Sequence, residues 1–405
     1  MIIDTSAAQR RALTVLVIAQ VLSGAGLAAG ITVGALLARD VLSSTSLAGV
    51  PVALFTVGAA LAAVLVGRAS QAHGRRVGLA LGYGAGGLGA IGVVVAAALP
   101  STPLLFLSLF VYGAGMATNL QARYAGADLA PAHRKGSAVS IVLVATTLGA
   151  VVGPNTVGLT GRLAGTVGIP ALAGPFLLAA VAYGIAAVVL WIWLRPDPLL
   201  LARELRLDEP VVASSDSPAA TVADWRPTVL LGAAIMTVTQ LVMAAIMTMT
   251  PVHMQDHGHS LGAAGLVIGF HVAAMYLPSP LSGMLVDRLG ARVVALAAAM
   301  TMLLAGASAA AFTGIAGLTL ALVLLGLGWN LGLISGTTLI TQAAPLRQRA
   351  AVQGNVDLSI TLAGAGGGFA SGMVVAASSY ALLSIVGAVL ALLIIPVVLR
   401  RRVVA

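Results

Sequence analysis

The sequence predicts an all-α integral membrane protein with twelve transmembrane helices in two six-helix bundles. Three observations predict it: an apolar composition, twelve apolar stretches of helix length, and a single polar interval that divides six stretches from six. Of 405 residues, 59% are hydrophobic and 8% charged, and the mean hydropathy is +1.05. A soluble domain carries about 25% charged residues. This chain has too little polar surface to cover a water-soluble globule, so its natural solvent is a bilayer. Forty-eight glycines agree, because small residues let membrane helices pack closely.

A helix needs roughly 20 apolar residues to cross a hydrocarbon core of about 30 Å. The first stretch, 12–38, follows Arg10 and Arg11. It is too long for the apolar part of a cleaved signal peptide, so a retained signal anchor is expected. Stretches at 46–67, 77–99, 102–124, 136–161 and 170–194 complete an N-terminal bundle over 1–194. The interval 195–227 holds Arg195, Pro196, Asp197, Pro198, Arg203, Glu204, Arg206, Asp208, Glu209 and Pro210. It reads as a cytoplasmic linker with a short amphipathic helix near 199–206. Stretches at 228–252, 260–286, 291–313, 316–342, 350–376 and 378–399 build a C-terminal bundle over 228–405.

The formal net charge is +9 and the pI about 11.0. In a soluble protein such a charge points to nucleic acid. Here the basic residues crowd short loops between apolar stretches, so the positive-inside rule accounts for them and no nucleic-acid partner is expected. With both termini inside, only Arg39 and Arg162 of the twenty-one Lys and Arg residues fall at outer ends. The chain is therefore expected in the cytoplasmic membrane with both termini cytoplasmic, lipid as its surroundings, and as a monomer. The absence of cysteine removes disulfides and thiolate ligands.

The two halves repeat a loop. Gly67-Arg68-Ala69-Ser70-Gln71-Ala72-His73-Gly74-Arg75-Arg76 follows the second span, and Gly283-Met284-Leu285-Val286-Asp287-Arg288-Leu289-Gly290-Ala291-Arg292 follows the eighth. The second copy resembles the loop signature of the major facilitator superfamily, Gly-x-Leu-Ala-Asp-Arg-x-Gly-x-Arg. The first keeps the glycines and arginines but has Gln71 and Ala72 where the signature has Asp-Arg. This resemblance covers the whole chain and implies the major facilitator fold, in which two six-helix halves rock around a central site. It also implies a conformational gate at Asp287, Arg288 and Arg292, with Arg75 and Arg76 in the first copy. Without a carboxylate partner, Arg75 and Arg76 are expected to be ordinary loop charges.

Proton-coupled exporters place an acid or an arginine in the bilayer interior. The first span has neither Asp nor Glu, and Leu109 stands four residues before Gly113, where many relatives have arginine. Asp128 and Asp357 fall near the cytoplasmic ends of the fourth and eleventh spans. Asp357 is expected to face polar neighbours or Arg347 and Arg349 at that end, and Arg123 to form a local latch with Asp128. Structural roles are favoured over a proton relay, because charges near helix ends cost less than central ones. The fifth span carries Gly149-Ala150-Val151-Val152-Gly153-Pro154-Asn155. This resembles an antiporter signature, although glycine and proline there also serve simply to kink a tightly packed helix.

Methionine and histidine concentrate in one region. Seven of twelve Met and four of six His lie between residues 236 and 284. Met243 and Met247 are four apart and share a helix face, as do His271 and Met275. The seventh and eighth spans run antiparallel, which puts Met243 level with about residue 270. The pairs Met243-x-x-x-Met247 and His271-x-x-x-Met275 therefore have the spacing to converge in mid-membrane. Methionine often fills gaps in apolar cores, and Met236, Met249 and Met284 read as packing. An imidazole at mid-bilayer needs a hydrogen-bond partner or a ligand. Thioethers with imidazole, without carboxylate or thiolate, suit a soft ion such as Cu(I) better than Mg²⁺, Ca²⁺ or Zn²⁺.

These two motifs, with Met247 and His271 twenty-four apart, resemble the copper motifs of the CcoA-like (CalT) branch of the superfamily. Met249-Thr250-Pro251-Val252-His253-Met254, His257-Gly258-His259 and Gly328-Trp329-Asn330 are similar to that branch as well. The resemblance implies a secondary transporter that imports copper, feeding assembly of haem–copper oxidases of the cbb3 type. It implies Met243, Met247, His271 and Met275 as ligands, with the copper ion as cargo rather than a resident cofactor. His253, Met254, His257 and His259, placed in an outer loop, would be either the outer funnel for the metal or solvated side chains. Related branches without these motifs carry organic molecules such as riboflavin. The alternative is therefore a transporter of a small organic solute, with Trp329, Asn330, Gln240 and Asn155 lining its cavity. Neither reading requires covalent chemistry, so the protein is not expected to be an enzyme.

Overall fold

The structure, a computed structural model, describes residues 4–42, 50–99, 101–166, 168–205 and 225–399. The side chains of 28–42, 150–155 and 261 lie outside the described ones, and those of Arg39 and Asn155 are among them. Long apolar runs become helices because a lipid solvent offers no partner for free backbone groups. Among the described residues there is no strand. Also among the described residues, eleven helical segments are long and apolar enough to cross a bilayer. The remaining span is the fifth, where α5 (Lys135–Asn155) gives way to α6 (Val157–Thr166) just after Pro154.

The first four spans are α1 (Thr5–Leu42), α2 (Val50–His73), α3 (Arg75–Ala98) and α4 (Thr102–Ala127), and the sixth is α7 (Gly174–Trp193). Within the first bundle α1 packs on α5 and α7, and α3 on α4 and α7. Inside the polar interval, α8 (Pro198–Glu204) is capped by Asp197, whose carboxylate accepts from Leu199 N and Leu200 N. Most of the rest of that interval, 206–224, lies outside the described residues.

The second bundle begins with α9 (Arg226–Asp256), the seventh span. The eighth is broken into α10 (Leu261–Tyr276) and α11 (Ser279–Leu289). Pro278 and Pro280 flank the break, and neither can donate a backbone hydrogen bond. The ninth, tenth and eleventh spans are α12 (Ala291–Ala311), α13 (Ile315–Ala343) and α14 (Arg349–Ala377). The twelfth is α15 (Tyr380–Leu392) followed by α16 (Ile394–Leu399). Here α9 packs on α13 and α14, α10 on α13, and α12 on α13 and α15.

The bundles meet along two seams, α2 against α14 and α5 against α11. Both seams draw on the repeated loop. Gly74 and Gly290 hold φ of +92° and +87°, a region that L side chains avoid, and each turns the chain into the next span. Gly67 and Gly283 start the two copies at the seams. A Cβ on Gly67 would lie 2.8 Å from Ala350 O and 2.9 Å from Gly354 Cα, and one on Gly283 would overlap Ser140 Oγ. Close approach of the bundles therefore requires glycine at both places.

Candidate functional site

The two loop copies seal one face of the protein, called here the basic face because Arg68, Arg75, Arg76, Arg288 and Arg292 gather on it. Asp287 of α11 accepts hydrogen bonds from Gly136 N at 2.8 Å and Ser137 N at 2.9 Å. These are free donors in the first turn of α5, on the opposite bundle, and the carboxylate also meets the positive end of that helix dipole. Gln71 makes the equivalent bond to the other seam. Its Oε1 accepts from Ala350 N at 2.8 Å, in the first turn of α14. Its Nε2 donates to Leu346 O at 3.2 Å and Arg347 O at 2.6 Å. A carboxylate at position 71 has no N–H to give those two carbonyls. The departure from the signature is thus a neutral latch, matched to the carbonyls that precede α14. Arg288 is exposed and Arg292 half-buried beside these bonds.

Arg75 is not an ordinary loop charge: it is fully buried. Its Nε donates to Asp128 Oδ2 at 2.7 Å, and its Nη2 reaches Gln353 Oε1 on α14. Arg76 lies over the Trp191 ring, 5.1 Å from the centroid, and its backbone N–H donates to Asp197. The expected Arg123–Asp128 latch does not form, because Asp128 is taken by Arg75 within its own bundle. Arg123 instead crosses the interface. Its Nη2 donates to Asp357 Oδ1 at 2.7 Å and its Nε to Thr337 Oγ1 at 3.0 Å. Of the expected neighbours of Asp357, neither Arg347 nor Arg349 bonds it; it pairs with Arg123 of the opposite bundle. The Tyr124 hydroxyl also donates to Asp357 Oδ1, at 3.2 Å. Side chains of both ion pairs are at most 1% exposed.

The methionine–histidine residues lie in the second bundle. His271 is fully buried, and its Nδ1 lies 2.8 Å from Leu322 O on α13. A carbonyl oxygen only accepts, so Nδ1 carries the proton and Nε2 presents a lone pair. That Nε2 is buried and has no partner. Met243 and Met275 are buried, and Met247 is half-buried. Helix α13 is the common neighbour of both pairs. On one side Gln240 of α9 bonds Trp329, and Thr239 packs against Gly332. On the other side His271 and Met275 of α10 lie against Gly326. Thr239 and Gln240 of α9 and His271 and Met275 of α10 therefore meet α13 along its stretch between Leu322 and Gly332.

Trp329 Nε1 donates to Gln240 Oε1 at 2.7 Å, and the Trp329 ring stands edge-on to Tyr276. Asn330 does not face a cavity. It is fully buried, and its Nδ2 donates to Met275 O at 2.7 Å and to Ser279 Oγ at 2.8 Å, splinting the break in the eighth span. The outer histidines are also less loop-like than expected, because α9 continues to Asp256 and carries His253 and Met254 within it. Met254 is fully buried. His253 stacks on Tyr380, with ring centroids 4.3 Å apart. His257 is exposed, and His259 Nε2 lies 2.9 Å from Thr313 O.

Two six-helix bundles joined by a repeated latch and a buried ion pair across the seam form the arrangement that an alternating-access carrier needs. The sequence matches the family described as the Major Facilitator Superfamily over residues 16–275 and 228–404. The chain belongs to the Major Facilitator Superfamily. It is 55% identical over 396 residues to YdeG of Bacillus subtilis, an uncharacterized MFS-type transporter, covering 97% of this chain and 92% of that one. It is 31% identical over 408 residues to the riboflavin transporter RfnT of Brucella anthropi, covering 98% of both. The human organic anion transporter MFSD10 shares the fold, with a TM-score of 0.76 at 16% identity over 96% of this chain and 99% of that one. This membership makes the protein a multi-pass secondary transporter rather than an enzyme.

Sequence reasoning missed a polar network inside the first bundle of this transporter. Gln20 Nε2 donates to Thr146 Oγ1 at 3.0 Å and to Asn119 O at 3.1 Å. The Tyr83 hydroxyl lies 2.6 Å from Gln20 Oε1, and Asn119 Nδ2 donates to Ser23 Oγ at 2.8 Å. Gln20 and Asn119 inside apolar stretches were the available signal, since amides buried in lipid need partners.

Proposed function

We propose that this transporter imports copper across the cytoplasmic membrane by alternating access. The observation that carries the reading is His271 Nε2, a buried lone pair with no hydrogen-bond partner. A ligating imidazole characteristically holds its other nitrogen on a carbonyl, as Leu322 O holds Nδ1 here. Thioethers from Met243, Met247 and Met275 would complete a soft donor set for Cu(I). His257 and His259 would meet the ion on the outer side, with the basic face cytoplasmic, both termini inside and the chain acting as a monomer. The ion delivered would supply haem–copper oxidase assembly. Copper accumulation in cells expressing the parent and His271→Ala tests this directly. Loss of one ligand lowers uptake roughly 10-fold or more, whereas equal accumulation overturns the copper reading.

A second reading is uptake or efflux of a small organic solute. It is favoured by the riboflavin transporter relative and by the Trp329–Gln240 pair, an aromatic face beside an amide. Thermal shift of the purified protein separates the two. Stabilisation by riboflavin with no response to Cu(I) selects the organic cargo; the reverse selects copper.

A further inference from the structure

The basic face carries charge that the seam does not use. Among the described residues the ion pairs are Arg75–Asp128 and Arg123–Asp357, and neither Arg76 nor Arg195 belongs to them. These two arginines stand where α3 begins and α7 ends. The carboxylate beside them, Asp197, is turned to backbone. Its Oδ2 accepts from Arg76 N at 2.8 Å, and its Oδ1 from Leu199 N at 3.0 Å and Leu200 N at 3.1 Å. Arg76, Arg195 and Asp197 together leave one positive charge uncompensated.

Next to Arg76, the surface between α3 and α7 forms a trough of 380 Å³ lined by Ala80, Leu81, Ala187, Val188, Trp191 and Ile192. No lining residue is charged. Helical spacing sets the direction of the trough. Arg76 and Ala80 are four apart on α3, and Ala187 and Trp191 are four apart on α7, so each pair shares a face. The Arg76 guanidinium lies over the Trp191 ring, 5.1 Å from its centroid, and so closes one end. Further along, an added Cβ on Gly84 of α3 or Gly184 of α7 would meet no neighbouring atom within 4 Å, so the trough stays open there. Arg76 to Gly84 spans about 12 Å of helix axis, close to the hydrocarbon depth of one leaflet, about 15 Å. Trp191 and Trp193, in the last turn of α7, are 47% and 49% exposed. Indole prefers the membrane–water interface, so these rings mark the level of the headgroups.

We propose that this trough holds an acyl chain of an anionic phospholipid whose phosphate rests on Arg76, with Arg195 adding a second positive charge. A guanidinium stays charged and offers a planar fork that fits two phosphate oxygens. Stacking on Trp191 holds the fork in place, which lowers the entropy lost on binding. Free phosphate would leave the apolar volume empty, so the occupant is a lipid. A zwitterionic lipid brings the same phosphate together with an ammonium that two arginines repel. The site lies on the outer wall of the first bundle, whereas both cargo readings draw on the second, so it stands independently of the cargo.

Purified protein in detergent, titrated with phosphatidylglycerol or phosphatidylcholine of identical chains, gives the bound lipid by native mass spectrometry. Phosphatidylglycerol is expected to be retained about fivefold more strongly, the effect of one basic side chain near an anionic surface. Arg76→Gln should erase that preference. Ala187→Leu, which fills the trough and keeps the charge, should lower retention of phosphatidylglycerol itself. Arg288→Gln removes an exposed arginine of the same face on α11 and should leave the preference intact. Equal retention of the two lipids by the parent overturns the proposal. So does a loss in Arg288→Gln as large as in Arg76→Gln, which is the mark of diffuse attraction. Undiminished retention in Ala187→Leu also overturns it, because the headgroup would then bind without its chain. If Arg76→Gln does not assemble, Ala187→Leu decides by the same criterion.

Discussion

At the scale of single residues, the decisive features are charges and lone pairs stripped of water. Arg75 and Asp128 form a buried pair inside the first bundle. Removing one member leaves the other charge uncompensated, at a cost of about 3–5 kcal/mol. Arg75→Ala should therefore lower thermal stability in detergent far more than the paired change Arg75→Met with Asp128→Leu, which removes both charges and keeps the volume. His271 Nε2 and Asp357 Oδ2 are buried acceptor atoms without a partner, whereas the unpartnered atom of this pair, Arg75 Nη1, is a donor that already carries its protons. Buried polar atoms are nearly always satisfied, so the exceptions are where a ligand or proton is to be sought. Both residues were noticed in the sequence for their type. What it did not reveal was the partner: Asp357 is separated from Arg123 by 234 positions, and only packing of two bundles joins them.

At the scale of elements, the interrupted spans are informative. The eighth span breaks between α10 and α11, and Asn330 of α13 bridges the gap with two hydrogen bonds. Asn330→Leu keeps the volume but strands Met275 O and Ser279 Oγ, costing about 1–3 kcal/mol. Chemical unfolding should show that loss. Prolines 278 and 280 announce the break in the sequence; the splint across it is a tertiary contact, and so Asn330 read as a cavity residue. The same limit applies to His253 and Met254. Helix α9 outlasts its apolar run and keeps Pro251 inside it, so residues assigned to a loop are helical.

At the scale of the whole molecule, two pseudo-symmetric latches hold the basic face shut. Asp287 caps α5, and Gln71 caps α14 at the matching position. Restoring the signature acid at position 71 should weaken the latch rather than repair it. Gln71→Asp gains a favourable helix-dipole term of about 0.3–1 kcal/mol. It loses two amide donors worth about 0.5–1.5 kcal/mol each and turns a carboxylate toward the carbonyls of Leu346 and Arg347. The chain has no cysteine, so thiol labelling of Ser140→Cys, where α5 meets Gly283 of α11, reports opening of the opposite seam. That labelling should rise in Gln71→Asp, because the bundles part as rigid bodies. Unchanged or slower labelling would show that the acid substitutes fully for the amide.

The sequence by itself determined the solvent, the twelve spans, the loop repeat and the superfamily, because these follow from composition, helix length and local motif. It also marked His271 and the methionine spacing, since side chains three or four apart share a helix face whatever the tertiary arrangement. Only the tertiary structure decided which charges meet. Arg75 took Asp128, Arg123 took Asp357, and Gln71 found the first turn of α14. Such pairings depend on how two bundles dock, and long-range electrostatic partners in a dry interface are set by that docking rather than by any local pattern in the chain.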